Sequence, residues 1–378
     1  MKKLFAMAIA VLFFTTFTLA QNTNTTSQTG NNNTAKSTQT GNNEVELIQV
    51  GNYQQATATQ TGTNSGGVYQ LNNGNNNAAT LSQNGSSNDG WINQGMTQGY
   101  WTNYESVGAK WNKATMTQTG NSNSASIEQY GGSNSSNGNM ANVKQNGDGN
   151  TAYSYQGWAY SGWGETVTTS HLQSYNSNIN ISQINDNNKG YVWQYGGNGN
   201  NAKIAQNGND NLAEISQGEI YSDYAYTFTH PVYNTDDNNA TINQTGDNNK
   251  GKVFQLGNNN TFNLSQGQDN SVGSDPTATG IEKSRDAFFQ QDGNNNQFNG
   301  VQTDGAKLDA VGEGITGYYG SFQKGNGNNI SLTQYNDNAL MQQLGNSNNA
   351  KLWQGGTAVN NSKILQNGNT NLANVHQQ

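Results

Sequence analysis

One phrase recurs along this chain and limits what it can fold into: Asn, any residue, a small residue, any, an aliphatic, any, Gln, any, Gly. It stands as N-K-A-T-M-T-Q-T-G at Asn112–Gly120 and as N-S-A-S-I-E-Q-Y-G at Asn123–Gly131. Close forms occupy Asn201–Gly208, Asn211–Gly218 and Asn239–Gly246. The glutamine returns about every 11 residues at Gln28, Gln39, Gln49, Gln60 and Gln70, then in pairs such as Gln118 and Gln129. The characteristic residues fall on alternate positions, the period of a β-strand. A strand and a Gly/Asn turn repeated at fixed spacing describe a repeat architecture.

Composition points the same way. Only 31% of the 378 residues are hydrophobic and 11% are charged. A chain so poor in apolar residues is often disordered, but such chains carry high charge or much Pro. This one has two prolines and a net charge of -8. Gln/Asn-rich, charge-poor sequence belongs to the β-aggregating class. Mild acidity argues against nucleic acid as a partner.

Residues 1–20 read as a secretory signal: Lys2 and Lys3, the apolar run Leu4–Phe14, and small residues ending at Ala20. The apolar run is too short for a good membrane span. The mature chain is expected to begin near Gln21 and to form one repeat domain over 21–378. There is no cysteine, so an exported chain forgoes disulfides.

Within each phrase, Asn, the small residue, the aliphatic and Gln point to one side. Asn123, Ala125, Ile127 and Gln129 are such a set. Two strands joined by x-G-x-x turns make a coil of about 22 residues. Coils stacked in register give an all-β, two-sheet β-solenoid, with strands about 4.7–4.8 Å apart. Each buried Gln then meets its copy in the next coil. The expected ladder includes Gln145, Gln156, Gln183, Gln194, Gln206, Gln217, Gln244, Gln255, Gln366 and Gln377. An amide–amide bond nets about 0.5–1.5 kcal/mol, and an unpaired buried amide costs more. The ladder therefore penalises slips of register. About 26 phrases predict about 13 coils.

The strands fall into two classes. One is flanked by small polar residues, as at Gln39, Gln60 and Gln118. The other carries large ones: Ile48 and Val50, Tyr69 and Leu71, Trp193 and Tyr195, Phe254 and Leu256. They alternate, which predicts one polar and one aromatic–aliphatic face. Longer connections at Gly95–Trp111, Gly157–Asn176, Gly218–Asp237, Gly267–Phe289 and Thr303–Phe322 read as insertions. Three of them follow strands of the second class and are expected along one edge. Both prolines, Pro231 and Pro276, lie inside insertions, since sheet interiors exclude Pro.

The spacing Gln118-Thr-Gly120, Asn123-Ser-Ala125, Gln129 resembles the curlin repeat of curli fibre subunits. It returns at Gln145, Gly147, Asn150, Ala152 and Gln156, and at Gln206, Gly208, Asn211, Ala213 and Gln217. The resemblance implies a β-solenoid that polymerises end to end into extracellular amyloid fibres of a biofilm matrix and supports adhesion. It also implies secretion through an outer-membrane pore and nucleation by a related subunit. The chain departs from short family members in its many coils and its long aromatic-rich insertions.

Catalytic, cofactor and metal chemistry is not expected. His171, His230 and His376 lack metal spacing. Asp236, Asp237 and Asp247 read as solvated turn acids. Gly196–Asn200 lacks the Asp that a calcium β-roll turn needs. No paired carboxylates suggest a glycosidase. The competing reading is a monomeric solenoid adhesin that grips glycan or another surface through its insertions. Ice binding through the Thr-Gln-Thr rows is a weaker third. A monomeric solenoid needs polar caps, and neither Gln28 nor the phrase Asn371–Gln377 is flanked by an evident one.

Overall fold

The computed structural model describes residues 21–95, 110–130, 138–157, 174–218, 235–267, 271–272, 289–303, 306–308, 321–335, 337–355 and 359–378. Among these residues the chain is all β, with 28 strands and no helix. Most of each expected insertion lies outside them, as do the expected signal segment, His171 and His230.

The strand pairs are parallel and in register. Thr23–Thr29 pairs with Glu44–Asn52, and Thr34–Gly41 with Gln55–Gly62. Gln28 thereby faces Gln49, and Gln39 faces Gln60. Successive strands thus alternate between two ladders. The first runs through Gln28, Gln49, Gln70 and Gln94. The second runs through Gln39, Gln60, Gln83 and Gln118. By hydrogen bonding the ladders count as one 26-stranded sheet. They merge because Gln55–Asn75 and Ala78–Gln94 are long strands that contribute to both. A small two-stranded sheet joins Ser174–Tyr175 to Gly197–Asn198.

Alternation decides what is inside. Ala125, Ile127, Ala202, Ile204, Ala213 and Ile215 are buried, and their strand neighbours, Ser216 apart, are more exposed. The aliphatic and small residues of both ladders form one continuous core cluster. Glycine makes the corners possible. Gly62 has φ +106, and a Cβ there would lie 1.8 Å from the carbonyl oxygen of Gly85 in the next layer. Backbone stacks on backbone at this corner, which only Gly permits.

The spacing between layers varies around the expected 22 residues or so, as the expected insertions require. A ladder glutamine is followed by its neighbour in the stack after as few as 20 and as many as 38 residues. Loop length costs little, so extra chain leaves the register untouched. Gly95, Gly157 and Gly218, where three insertions begin, each donate to the carbonyl of the next layer's glutamine in the first ladder. Two expected connections prove to lie within a strand. Ser271–Val272 pairs with Lys250 and Gly251, and Phe289–Asp292 pairs with Val253–Leu256 of the same neighbour. Lys307–Leu308 and Phe322–Lys324 likewise share Asn338–Leu344.

Candidate assembly surface

Twenty-six glutamines form two unbroken series of side-chain hydrogen bonds. In the first, Gln28 Nε2 donates to Gln49 Oε1 at 2.6 Å, and the bonds continue at 2.7–3.0 Å through Gln129, Gln156, Gln194, Gln217 and Gln255 to Gln366. In the second, bonds of 2.6–3.2 Å run from Gln39 through Gln145, Gln183, Gln206 and Gln244 to Gln377. The second hydrogen of many of these amides reaches a backbone carbonyl, as from Gln194 Nε2 to Asn178 O at 3.2 Å. A buried primary amide, which has two donors and an acceptor, is satisfied in this way.

Every one of these Gln–Gln bonds runs the same way, from the earlier residue's Nε2 to the later residue's Oε1. The buried asparagines that open each phrase run the opposite way, while the exposed turn asparagines, as from Asn258 N–H to Asn294 Oδ1, run forwards. Asn123 donates its backbone N–H and Nδ2 to Asn88 Oδ1 at 3.1 and 3.0 Å, and Asn150 does the same to Asn123. Asn123 Nδ2 also reaches the next layer's corner, donating to Gly147 O at 2.7 Å. Sequence spacing carried no signal for these directions, because an amide can be placed either way round until its neighbours are fixed.

The outer faces differ. On the first ladder, Tyr69 stacks on Trp91 with centroids 5.6 Å apart. Tyr153 stacks on Tyr191 at 5.5 Å, and Tyr155 on Trp193 at 6.4 Å. Neighbouring strands hold such rings in offset contact. On the second ladder, Thr38, Thr59 and Thr117 share a row across paired strands, interrupted by Ser82. Towards its far end this face also carries Tyr335 and Trp353, with His376 edge-on to Trp353 at 4.2 Å.

On the aromatic face the Tyr130 hydroxyl donates to the Glu128 carboxylate. Burial pushes the Glu128 carboxyl up from its ordinary value, against the lowering effect of hydrogen bonds from Tyr130 and Ser126. Burial also raises the Tyr130 hydroxyl, as does the nearby Glu128 charge. Among the described residues, no group of three or more His, Cys, Asp or Glu is placed to hold a metal ion, and no helix is long and apolar enough to cross a membrane.

Among the described residues, the outermost strands pair on one side only. Thr23–Thr29 is exposed along its whole length, and Leu372–Gln377 alternates between exposed and half-buried. No curated protein matches the chain. Residues 111–137 and 235–267 match the family model described as curlin associated repeat, so the chain carries that repeat at two places.

Proposed function

We propose that the protein is a secreted structural subunit, a two-sheet β-solenoid that stacks end to end into extracellular fibres of the curli kind. The unbroken pair of glutamine ladders carries this reading. A stack whose layers are joined by identical amide bonds leaves the same bonds unmade at each open end, and an edge strand is a template for another chain. The curlin associated repeat at two places supports the same class, since that repeat belongs to fibre subunits. In this reading residues 1–20 direct export and are removed, an outer-membrane pore passes the chain, and a related subunit nucleates growth. The protein acts as matrix and adhesive material, not as an enzyme.

The test is incubation of the chain from Gln21 onward at micromolar concentration, followed by light scattering and electron microscopy. Unbranched fibres after a lag, with the lag shortened by preformed fibres, support the reading. A chain that stays monomeric for days contradicts it and favours the monomeric adhesin.

A further inference from the structure

One outward column of the first ladder holds two tyrosines that the register brings together. In successive layers the column reads Ser126, Tyr153, Tyr191 and Glu214. Parallel pairing sets Tyr153 directly against Tyr191, and their rings stack with centroids 5.5 Å apart and planes 17° apart. The stack does not continue past this pair. Ser126 is small, and Glu214 is held by Lys252 at 2.7 Å. The adjoining column sets Tyr155 on Trp193 at 6.4 Å. Trp193 also stacks on Tyr191 at 5.8 Å, and Tyr155 touches Tyr153, so four rings form one block.

Other tyrosines have different partners. Tyr69 stacks on Trp91 and donates to Glu46, Tyr130 donates to Glu128, and Tyr335 packs on Trp353. Among the described residues, Tyr153 and Tyr191 are the one pair of tyrosines in ring contact between different strands. Both are half-buried, so a small oxidant can reach them.

We infer that Tyr153 and Tyr191 form an oxidative cross-linking site, joined as dityrosine by a one-electron oxidant of the peroxidase class acting with hydrogen peroxide. Each phenol gives one electron to the oxidant and its hydroxyl proton to water. The two phenoxyl radicals couple through ring carbons ortho to their oxygens. The hydrogen on each of these carbons then moves to oxygen and restores the phenol. The net change is the loss of two hydrogens, which reduce one hydrogen peroxide to two waters. Two groups held side by side react as though far more concentrated than the protein in solution. Trp193 widens the target, because an electron lost from its indole can be replaced from the touching Tyr191 ring. The new bond fastens Thr151–Gln156 to Lys189–Gln194, two layers otherwise joined by hydrogen bonds and packing. Both rings belong to one molecule, so the site does not depend on fibre formation.

The test uses the chain from Gln21 onward, kept dilute and monomeric, treated with peroxidase and hydrogen peroxide and then digested with trypsin. The expected product joins residues 145–189 to 190–203 and is two hydrogens lighter than the two peptides together, with fragments placing the bond at Tyr153 and Tyr191. Y153F and Y191F keep the ring stack and should each lower its yield at least about tenfold. Y195F should leave the yield unchanged, and denaturant should abolish the preference for this pair. Joined peptide that persists in Y153F or Y191F, dityrosine formed only between molecules, or no dityrosine at all overturns the inference and leaves the fibre reading standing.

Discussion

Replacing Gln194 by Leu tests whether the glutamine ladders hold the layers together. Gln194 is fully buried and makes three bonds. Its Oε1 accepts from Gln156 at 3.0 Å, and its Nε2 donates to Gln217 Oε1 at 2.9 Å and to Asn178 O at 3.2 Å. Leucine makes none of these. Gln156 keeps its bond to Ser177 O at 2.8 Å and loses one donor contact. Gln217 Oε1 and Asn178 O lose an amide that they cannot exchange for water. Each orphaned buried group costs about 1–3 kcal/mol. After the gain from a buried leucine, the expected loss is about 3–5 kcal/mol. Gln28 is the control, because it is exposed and makes one ladder bond. Q28L should cost about 1 kcal/mol or less. Native-state hydrogen exchange on the monomer reads both. Stability in a stack is a sum of neighbour terms, so the loss should centre on Thr151–Gln156, Lys189–Gln194 and Leu212–Gln217. Exchange there should rise about 100-fold or more in Q194L. Equal protection in Q194L and wild type, or equal losses in Q194L and Q28L, would refute the reasoning.

Three other substitutions probe separate features. Asp337 is buried where other layers have Asn; its Oδ1 accepts from the Asn360 N–H at 2.7 Å, while its Oδ2 has no hydrogen-bond partner among the described residues. D337N supplies the donor that Asn150 and Asn211 aim at a turn carbonyl, and urea unfolding should show a gain of about 1–3 kcal/mol. G62A drives a Cβ into Gly85 O and should cost more than about 2 kcal/mol, whereas at Gly267 the nearest atom is 3.4 Å away, and G267A should change the unfolding midpoint little. Glu128 has a raised pKa because burial disfavours its charge. The folded state therefore holds the proton more tightly, so this stability is present below pH 4.5 and is lost as pH rises through the raised value; in E128Q that part of the pH dependence of unfolding should vanish.

Much of the strand architecture was legible because the inward set is chemically distinct. Ala202, Ile204 and Gln206 alternate with Lys203 and Ala205, and the period of two fixes which side each residue takes. The layer positions of Ser271–Val272 and Lys307–Leu308 were not legible. A two-residue strand shows no period, and these pairs hold their place only through full-length neighbours. The merging of the ladders was hidden too. Gln55–Asn75 passes its corner through a register shift between Thr63 and Ser65 where spacing suggested a turn. The reversed directions of the Gln and Asn bonds depend on contacts between layers 20 or more residues apart, which no local pattern encodes.

The most direct measurement of the central claim, that the ladders continue from one copy into the next, is disulfide trapping across the joint. The chain has no cysteine. With Gln377 placed on Gln39, His376 falls beside Thr38 of the next copy, about 4.8 Å away along the ladder and within disulfide range. Inside one molecule the two positions lie at opposite ends of the stack, about 60 Å apart at the strand spacing. Mild oxidation of T38C/H376C fibres should give a series of covalent multimers on a non-reducing gel, and a mixture of the single variants T38C and H376C should give the mixed dimer. Fibres that form but yield only monomer, or chiefly T38C–T38C dimers, would contradict continuous ladders and the end-to-end assembly built on them.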